Sequence, residues 1–187
     1  MGLDCLIMSE EKERLKLILK ENSILRGKFK LSSGKESDYY IDARLTTLHP
    51  EGIYLVGKIF LDIIRQDSGI KAVGGPTMGA DPIVGSIVVL SYQSGYSLRG
   101  FLVRKEGKPH GTEKLIEGNL RSGDGVVIVE DVATTGGSIL KAVNAVENMR
   151  AYIRKILVIV DREEGAREIL EDRDYKFFSI FKIGELL

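Results

Sequence analysis

Residues 126–138 read VVIVEDVATTGGS. The run from Val126 to Val129 is entirely β-branched and suits a strand covered on both faces. Two adjacent carboxylates follow, Glu130 and Asp131. Val132 and Ala133 then lead into Thr134, Thr135, Gly136, Gly137 and Ser138, and the pattern beyond is helical over 136–149. Strand, loop and helix in that order place the loop at a helix N-terminus, where backbone N–H groups and the helix dipole favour an anion. Glycines let that backbone come close to a phosphate, and the hydroxyls add donors. The carboxylates would be poor phosphate ligands. They are good acceptors for sugar hydroxyls and for water around a divalent cation. A phosphorylated sugar, held by the acids at its hydroxyls and by the loop at its phosphate, accounts for both halves of the stretch. No Gly-Lys-Ser/Thr closes the loop, and no G-x-G-x-x-G spacing is present, so neither a Walker loop nor a dinucleotide fingerprint is read here.

Outward from this stretch, apolar strands alternate with helical patterns. IKAVGG near residue 70, RGFLVRK near 99 and RKILVIVDR near 154 read as strands, and YKFFSIF is the last apolar segment. Between them lie a helix started by Asp81 as cap and Pro82 as first residue, the helix after Gly136, and one near REEGAREILED. Such alternation predicts an α/β fold with a central, mostly parallel sheet flanked by helices. Ligands in such sheets sit beyond the carboxyl ends of the strands. Upstream, Ser9 is positioned to cap an amphipathic helix, SEEKERLKLILKEN. GKFKLSSGKESDYYIDAR then reads as two short strands around a Ser33-Gly34 turn. Pro50 opens a helix to Gln66 with Ile53, Val56, Phe60 and Ile63 inward.

The chain of 187 residues suits one domain, 1–187, with a small N-terminal hood formed mainly by residues 1–45. Lys plus Arg and Asp plus Glu both number 27, and the zero net charge argues against a general nucleic-acid binder. Cys5 stands alone, which excludes an intrachain disulfide and fits a reducing cytoplasm. One Cys and two His argue against a structural zinc site. No apolar run approaches the ~20 residues of a membrane span. We therefore expect a cytoplasmic protein with no membrane and no nucleic-acid partner.

Three further stretches follow predicted strands. RKEGKPHG, residues 104–111, carries Arg104, Lys105, Lys108 and His110 among residues that resist regular structure. A basic loop of this kind can close on a departing anion, neutralise its charge and exclude water. VGGPTMGADP, residues 73–82, is a Gly-rich strand-to-helix turn able to offer N–H groups to a diphosphate. IVDREEG ends a strand at Asp161-Arg162, which places this charged pair at the ligand edge of the sheet.

The acidic pair and its Thr/Gly/Ser loop resemble the phosphoribosyl-diphosphate motif of the type I phosphoribosyltransferases. The hood pattern F-x-L-x-S-G-x-x-S-x-Y-Y from Phe29 to Tyr40, the Lys-x-His-Gly loop and the IEG at 116–118 resemble the orotate-using members. That resemblance implies transfer of ribose 5-phosphate from phosphoribosyl diphosphate to orotate, in pyrimidine biosynthesis. It implies ribose contacts from Glu130 and Asp131, and phosphate contacts from Thr134 to Ser138, with Val132 and Ala133 between. Arg104, Lys105, Lys108 and His110 would hold the diphosphate, and Lys105, Lys108 and His110 would act in catalysis. Thr134 and Arg162 would contact orotate. Mg²⁺ would ride on the substrate with no direct protein ligand, Asp131 reaching it through water. The resemblance also implies a cis Thr77–Met78 bond and a homodimer with shared active sites. Ser32 and Gly79 stand where many bacterial members have lysine. The alternatives are a purine phosphoribosyltransferase, or a non-catalytic, ligand-sensing regulator on the same fold. Arg162 and the hood oppose the first, since a purine has no carboxylate. The intact basic loop opposes the second.

Overall fold

The computed structural model describes residues 3–30, 36–106 and 115–187. Helix α1 (Leu3–Asn22) leads into an antiparallel hairpin, β1 (Ile24–Lys30) and β2 (Glu36–Ile41). Two helices follow, α2 (Arg44–Thr47) and α3 (Pro50–Arg65). The rest alternates: β3 (Ile70–Pro76), α4 (Ala80–Gln93), β4 (Arg99–Val103), β5 (Ile116–Gly118), β6 (Gly125–Ala133), α5 (Gly137–Asn148), β7 (Tyr152–Asp161), α6 (Ala166–Glu171) and β8 (Phe177–Lys182). Strands β3 to β8 form one sheet in the order β5-β4-β3-β6-β7-β8, parallel throughout except for β5. The predicted α/β sheet flanked by helices is the architecture observed.

The period-2 geometry of the central strands sorts their side chains to two cores. Val127 and Val129 of β6, with Leu157 and Ile159 of β7, meet a layer built from α1, α3 and α4. Val126, Ile128, Ile156 and Val158 point the other way, onto α5 and α6. Both faces are covered, which is why these strands read as unbroken apolar runs. Helix α3 starts where expected: Pro50 needs no N–H partner, and Nδ1 of His49 accepts the N–H of Gly52 at 3.3 Å. Val56 and Phe60 are buried, whereas Ile53 and Ile63 pack partly buried against the same core.

Strand order decides where the site lies. The crossover after β3, through α4, runs to β4 on one side. The crossover after β6, through α5, runs to β7 on the other. The chain thus departs in opposite directions from two neighbouring strands, and a crevice opens at their carboxyl ends. Pairing of β3 with β6 stops at Gly74 and Ile128, while β6 stays paired with β7 to Ala133 and Asp161.

Several expectations need correction. Helix α1 begins at Leu3 rather than at Ser9, because nothing in LDCLIM breaks a helix. Asp81 does not cap α4; the cap is Gly79, and Asp81 lies in the first turn. The segment IEG, too short to show a period, becomes edge strand β5 by pairing with β4. Its Gly118, at φ 101°, passes so close to β4 that a Cβ would lie 2.6 Å from the Gly100 carbonyl oxygen.

Gly75 is packed harder still. A Cβ there would lie 2.0 Å from the Val129 carbonyl oxygen and 2.7 Å from Cβ of Ala80. Gly75→Ala should therefore cost about 1–3 kcal/mol of stability through overpacking. The expected readout is a lower urea midpoint; an unchanged midpoint would show that β3 and β6 can separate freely.

Candidate active site

A cleft of ≈ 770 Å³ opens at the crevice between β3 and β6. Tyr40, Asp42 and Arg44 form its wall on the hood side, and the turn from Thr77 to Gly79 forms its wall at the end of β3. Glu130, Asp131, Val132 and Thr134 come from β6 and the loop after it, and Gly137 and Ser138 from the start of α5. Arg162 enters from the end of β7, and Arg104 and Lys105 from the end of β4. Residues from five parts of the sequence thus meet in one space.

The acidic pair lies within the strand, as GVVIVED reads, and the strand runs two residues further, to Ala133, because β7 continues the ladder where β3 has left. Glu130 is 6% exposed. Its Oε2 accepts the Ser138 hydroxyl at 3.2 Å, and its Oε1 accepts the Asp131 N–H at 3.3 Å. Oδ1 of Asp131 accepts the Val132 N–H at 2.7 Å. Burial, reinforced by the neighbouring Asp131 charge, pushes the Glu130 carboxyl up to about 9. Burial raises Asp131 as well, opposed in part by the field of Arg44. Neither acid has a cation within ion-pair distance among the described residues, so two hydrogen-bond acceptors converge on the cleft with spare capacity.

Gly79 packs directly against this pair. A Cβ there would sit 2.4 Å from Oε1 of Glu130 and 2.6 Å from Oδ1 of Asp131. A side chain at this position would require both carboxylates to shift. The Thr77–Met78 peptide bond just before it is cis, as expected.

The loop after β6 turns into α5 at Gly136, whose φ of 79° needs a residue free of a Cβ clash. No side chain caps this helix, so its first-turn N–H groups remain available to an anion. Gly137 and Ser138 line the cleft. Three predicted contacts do not. Ala133 is turned into the core and its carbonyl accepts the Arg162 N–H at 2.9 Å. Thr135 is exposed outside the cleft wall, and Gly136 is buried against Ala166. Thr134 lines the cleft while its carbonyl accepts the Ala166 N–H at 3.2 Å.

Arg162 is 9% exposed, and its guanidinium lies over the Tyr39 ring at 5.3 Å. That contact joins the hood to the sheet. Arg104 lies 3.7 Å from Glu117 of β5. Lys108 and His110 fall outside the described residues, as does Ser32. Two cations in the cleft wall escaped the sequence reading. Arg44 is gripped by Asp42 through Nε at 2.8 Å and Nη2 at 2.9 Å, a pairing hidden at the end of YYIDAR. Lys141 follows Ser138 by one helical turn, a spacing that could have been read from the α5 pattern.

The acid pair carries a pH signature. The ordinary Glu130 carboxyl titrates near 4.5 and the folded one near 9, so the folded protein binds the proton more tightly. Stability of the ligand-free protein should therefore fall as pH rises from about 4.5 toward 9. Glu130→Gln keeps an acceptor for Ser138 and removes the charge. It should raise the thermal midpoint at pH 8 by several degrees, at ~2–4 °C per kcal/mol, and flatten the pH dependence. A midpoint that climbs with pH in the unaltered protein would contradict this.

A family model for the phosphoribosyl transferase domain matches residues 47–183. The orotate phosphoribosyltransferase of Aquifex aeolicus is 42% identical over 180 residues, 95% of this chain and 98% of its own. That of Rhodopirellula baltica is 46% identical over 173 residues, 90% of each chain. A crystal structure of the Mycobacterium tuberculosis orotate phosphoribosyltransferase with 5-phospho-α-D-ribosyl 1-diphosphate superposes with a TM-score of 0.79 at 33% identity. It covers 94% of this chain and 98% of that one. With the buried acid pair, the uncapped α5 terminus and the arginine at the end of β7 in one cleft, the chain belongs to the phosphoribosyltransferase family and, within it, to the orotate phosphoribosyltransferases.

Proposed function

We propose that this cleft transfers ribose 5-phosphate from phosphoribosyl diphosphate to N1 of orotate, releasing orotidine 5′-phosphate and diphosphate. The observation that carries the assignment is the convergence of an acid pair, a helix N-terminus and a buried arginine on one crevice. Glu130 and Asp131 accept the ribose hydroxyls. The N–H groups at the start of α5, with the Ser138 hydroxyl and Thr134, hold the 5-phosphate. Lys141 stands one turn along the same helix and adds charge there. Arg162 takes the orotate carboxylate, and Thr134 adds a contact to the base. The Tyr39 ring below the guanidinium brings the hood to the base end of the cleft.

Bond cleavage at the anomeric carbon builds positive charge on the sugar and negative charge on the leaving diphosphate. The buried carboxylates stand beside the first. Arg104 and Lys105 face the second, joined by Lys108 and His110, which supply charge and a proton to the departing oxygen. Among the described residues no group of three or more His, Cys, Asp or Glu could cage a metal ion. The acid pair fits the hydroxyls of a metal-bearing substrate, with Asp131 reaching the ion through water. Mg²⁺ carried on the diphosphate and ribose hydroxyls supplies charge neutralisation to the leaving group. We assign the working form to a homodimer in which the basic loop serves the neighbouring site. Residues 1–187 act as one domain with a hood from 1–45. No helix among the described residues is long and apolar enough to cross a membrane, and the single cysteine agrees with work in the cytoplasm.

The reaction is tested by mixing protein, orotate, phosphoribosyl diphosphate and Mg²⁺ and following the loss of orotate absorbance. Turnover with adenine, hypoxanthine or xanthine in place of orotate would favour the purine reading. DNA binding without turnover would favour a regulator. Lys105→Ala should lower kcat strongly, and Arg162→Ala should raise KM for orotate. Because Lys105 lines the cleft of its own chain, sharing is tested with Lys108→Ala instead: an equal mixture with Arg162→Ala should regain about a quarter of full activity, since half of the random dimers then hold one intact site of two. No recovery after subunit exchange would count against sharing.

A further inference from the structure

Two contacts fix the Arg162 guanidinium. The Tyr39 ring lies against it, and Oε1 of Glu164 lies 2.8 Å from Nη2. Arg162 faces the cleft, whereas Glu164 is not part of the cleft wall, so the carboxylate approaches from outside. The grip is incomplete. In Arg14–Glu51, Arg44–Asp42 and Arg154–Asp67 both Nε and Nη2 hold one carboxylate. Among the described residues only Nη2 of Arg162 is paired with a carboxylate, and Nε is buried without a hydrogen-bond partner. The side chain is nine-tenths buried and still has unused donors, in the wall of a cleft.

The turn that delivers Glu164 is built for the purpose. Glu163 has φ 57°, a conformation few side chains adopt, and Gly165 has φ 101°. Both ends are tied. The Glu163 N–H donates to Oδ1 of Asp161 at 2.9 Å, and the Ala166 N–H donates to the Thr134 carbonyl at 3.2 Å. Asp161 is 1% exposed and its Oδ2 accepts Nε of Arg167 at 3.3 Å. A buried, anchored Asp161 thus bends the chain back so that residue 164 meets residue 162.

We propose that Glu164 is a positioning residue for base recognition: it sets the rotation of the Arg162 guanidinium, Tyr39 sets its plane, and the remaining N–H groups are left aimed at the carboxylate of the base. The inference rests on the reading of Arg162 as the orotate contact. An arginine side chain loses ~2 kcal/mol of rotamer freedom when fixed. Here that loss is met on folding, before the substrate arrives. Oε1 of Glu164 holds Nη2 as an ion pair at 2.8 Å; the same negative charge opposes an incoming anion, so its contribution lies in orienting the guanidinium and not in attracting the substrate.

Glu164→Ala should raise KM for orotate roughly tenfold, with kcat and KM for phosphoribosyl diphosphate near the unaltered values. Its preference for orotate over uracil, which lacks the carboxylate, should shrink alike. Glu164→Gln keeps an oxygen beside Nη2 and removes the opposing charge, and should restore KM for orotate to the original value or below. Glu164→Ser provides a second truncation should the alanine variant fold poorly. The proposal falls if both truncations leave KM for orotate unchanged or lower it, if KM for both substrates rises together, or if Glu164→Gln shares the defect. If Arg162→Ala itself leaves KM for orotate unchanged, the reading of Arg162 falls, a result distinct from any obtained at Glu164.

Discussion

The site depends on the parting of β3 from β6. Their ladder stops at Gly74 and Ile128, yet β6 runs on beside β7 to Ala133. That overhang gives Glu130 and Asp131 a rigid strand backbone on one side and an open cleft on the other. The same parting leaves room for the turn at Gly79, which packs onto both carboxylates with no space for a Cβ. Two adjacent acids would be costly in a covered sheet. They are tolerated here because they face an open crevice and because Ser138 and backbone N–H groups satisfy part of their need.

A second constraint is the contact between hood and sheet. Tyr39 belongs to the hairpin and Arg162 to the end of β7, and their contact ties the hairpin to the cleft wall. Asp42 and Arg44, just beyond the hairpin, close the opposite wall near Asp131. The guanidinium of Arg162 and the surroundings of Asp131 are thus tied to the same short N-terminal element, and a shift of the hairpin would disturb both.

Much of this was legible along the chain. VVIVED was recognisable as a buried strand because both of its faces meet apolar cores, and TTGGS as a helix entry because glycine and hydroxyl residues crowd at one point. Where the sequence reading failed, the cause was a neighbour out of its view. The end of β6 was placed too early because β7, not the local sequence, extends it. Ala133 was counted as a contact because the loop reads as one unit, while the fold turns it inward. Arg44 passed unnoticed because its grip on Asp42 resembles any surface ion pair until the cleft is seen beside it.

The order of residue types along the chain determined where acceptors, donors and cations stand: two acids at a strand end, glycines and hydroxyls at a helix entry, a guanidinium after the next strand, and strands alternating with helices to carry them. Only the tertiary structure decided which of these meet. The strand order brings β3 beside β6 and sends their crossovers to opposite faces, and that arrangement creates the crevice. Geometry of the same kind set Gly79 against both carboxylates and Glu164 against Arg162. Both follow from packing distances of a few ångströms, which no spacing along a chain encodes.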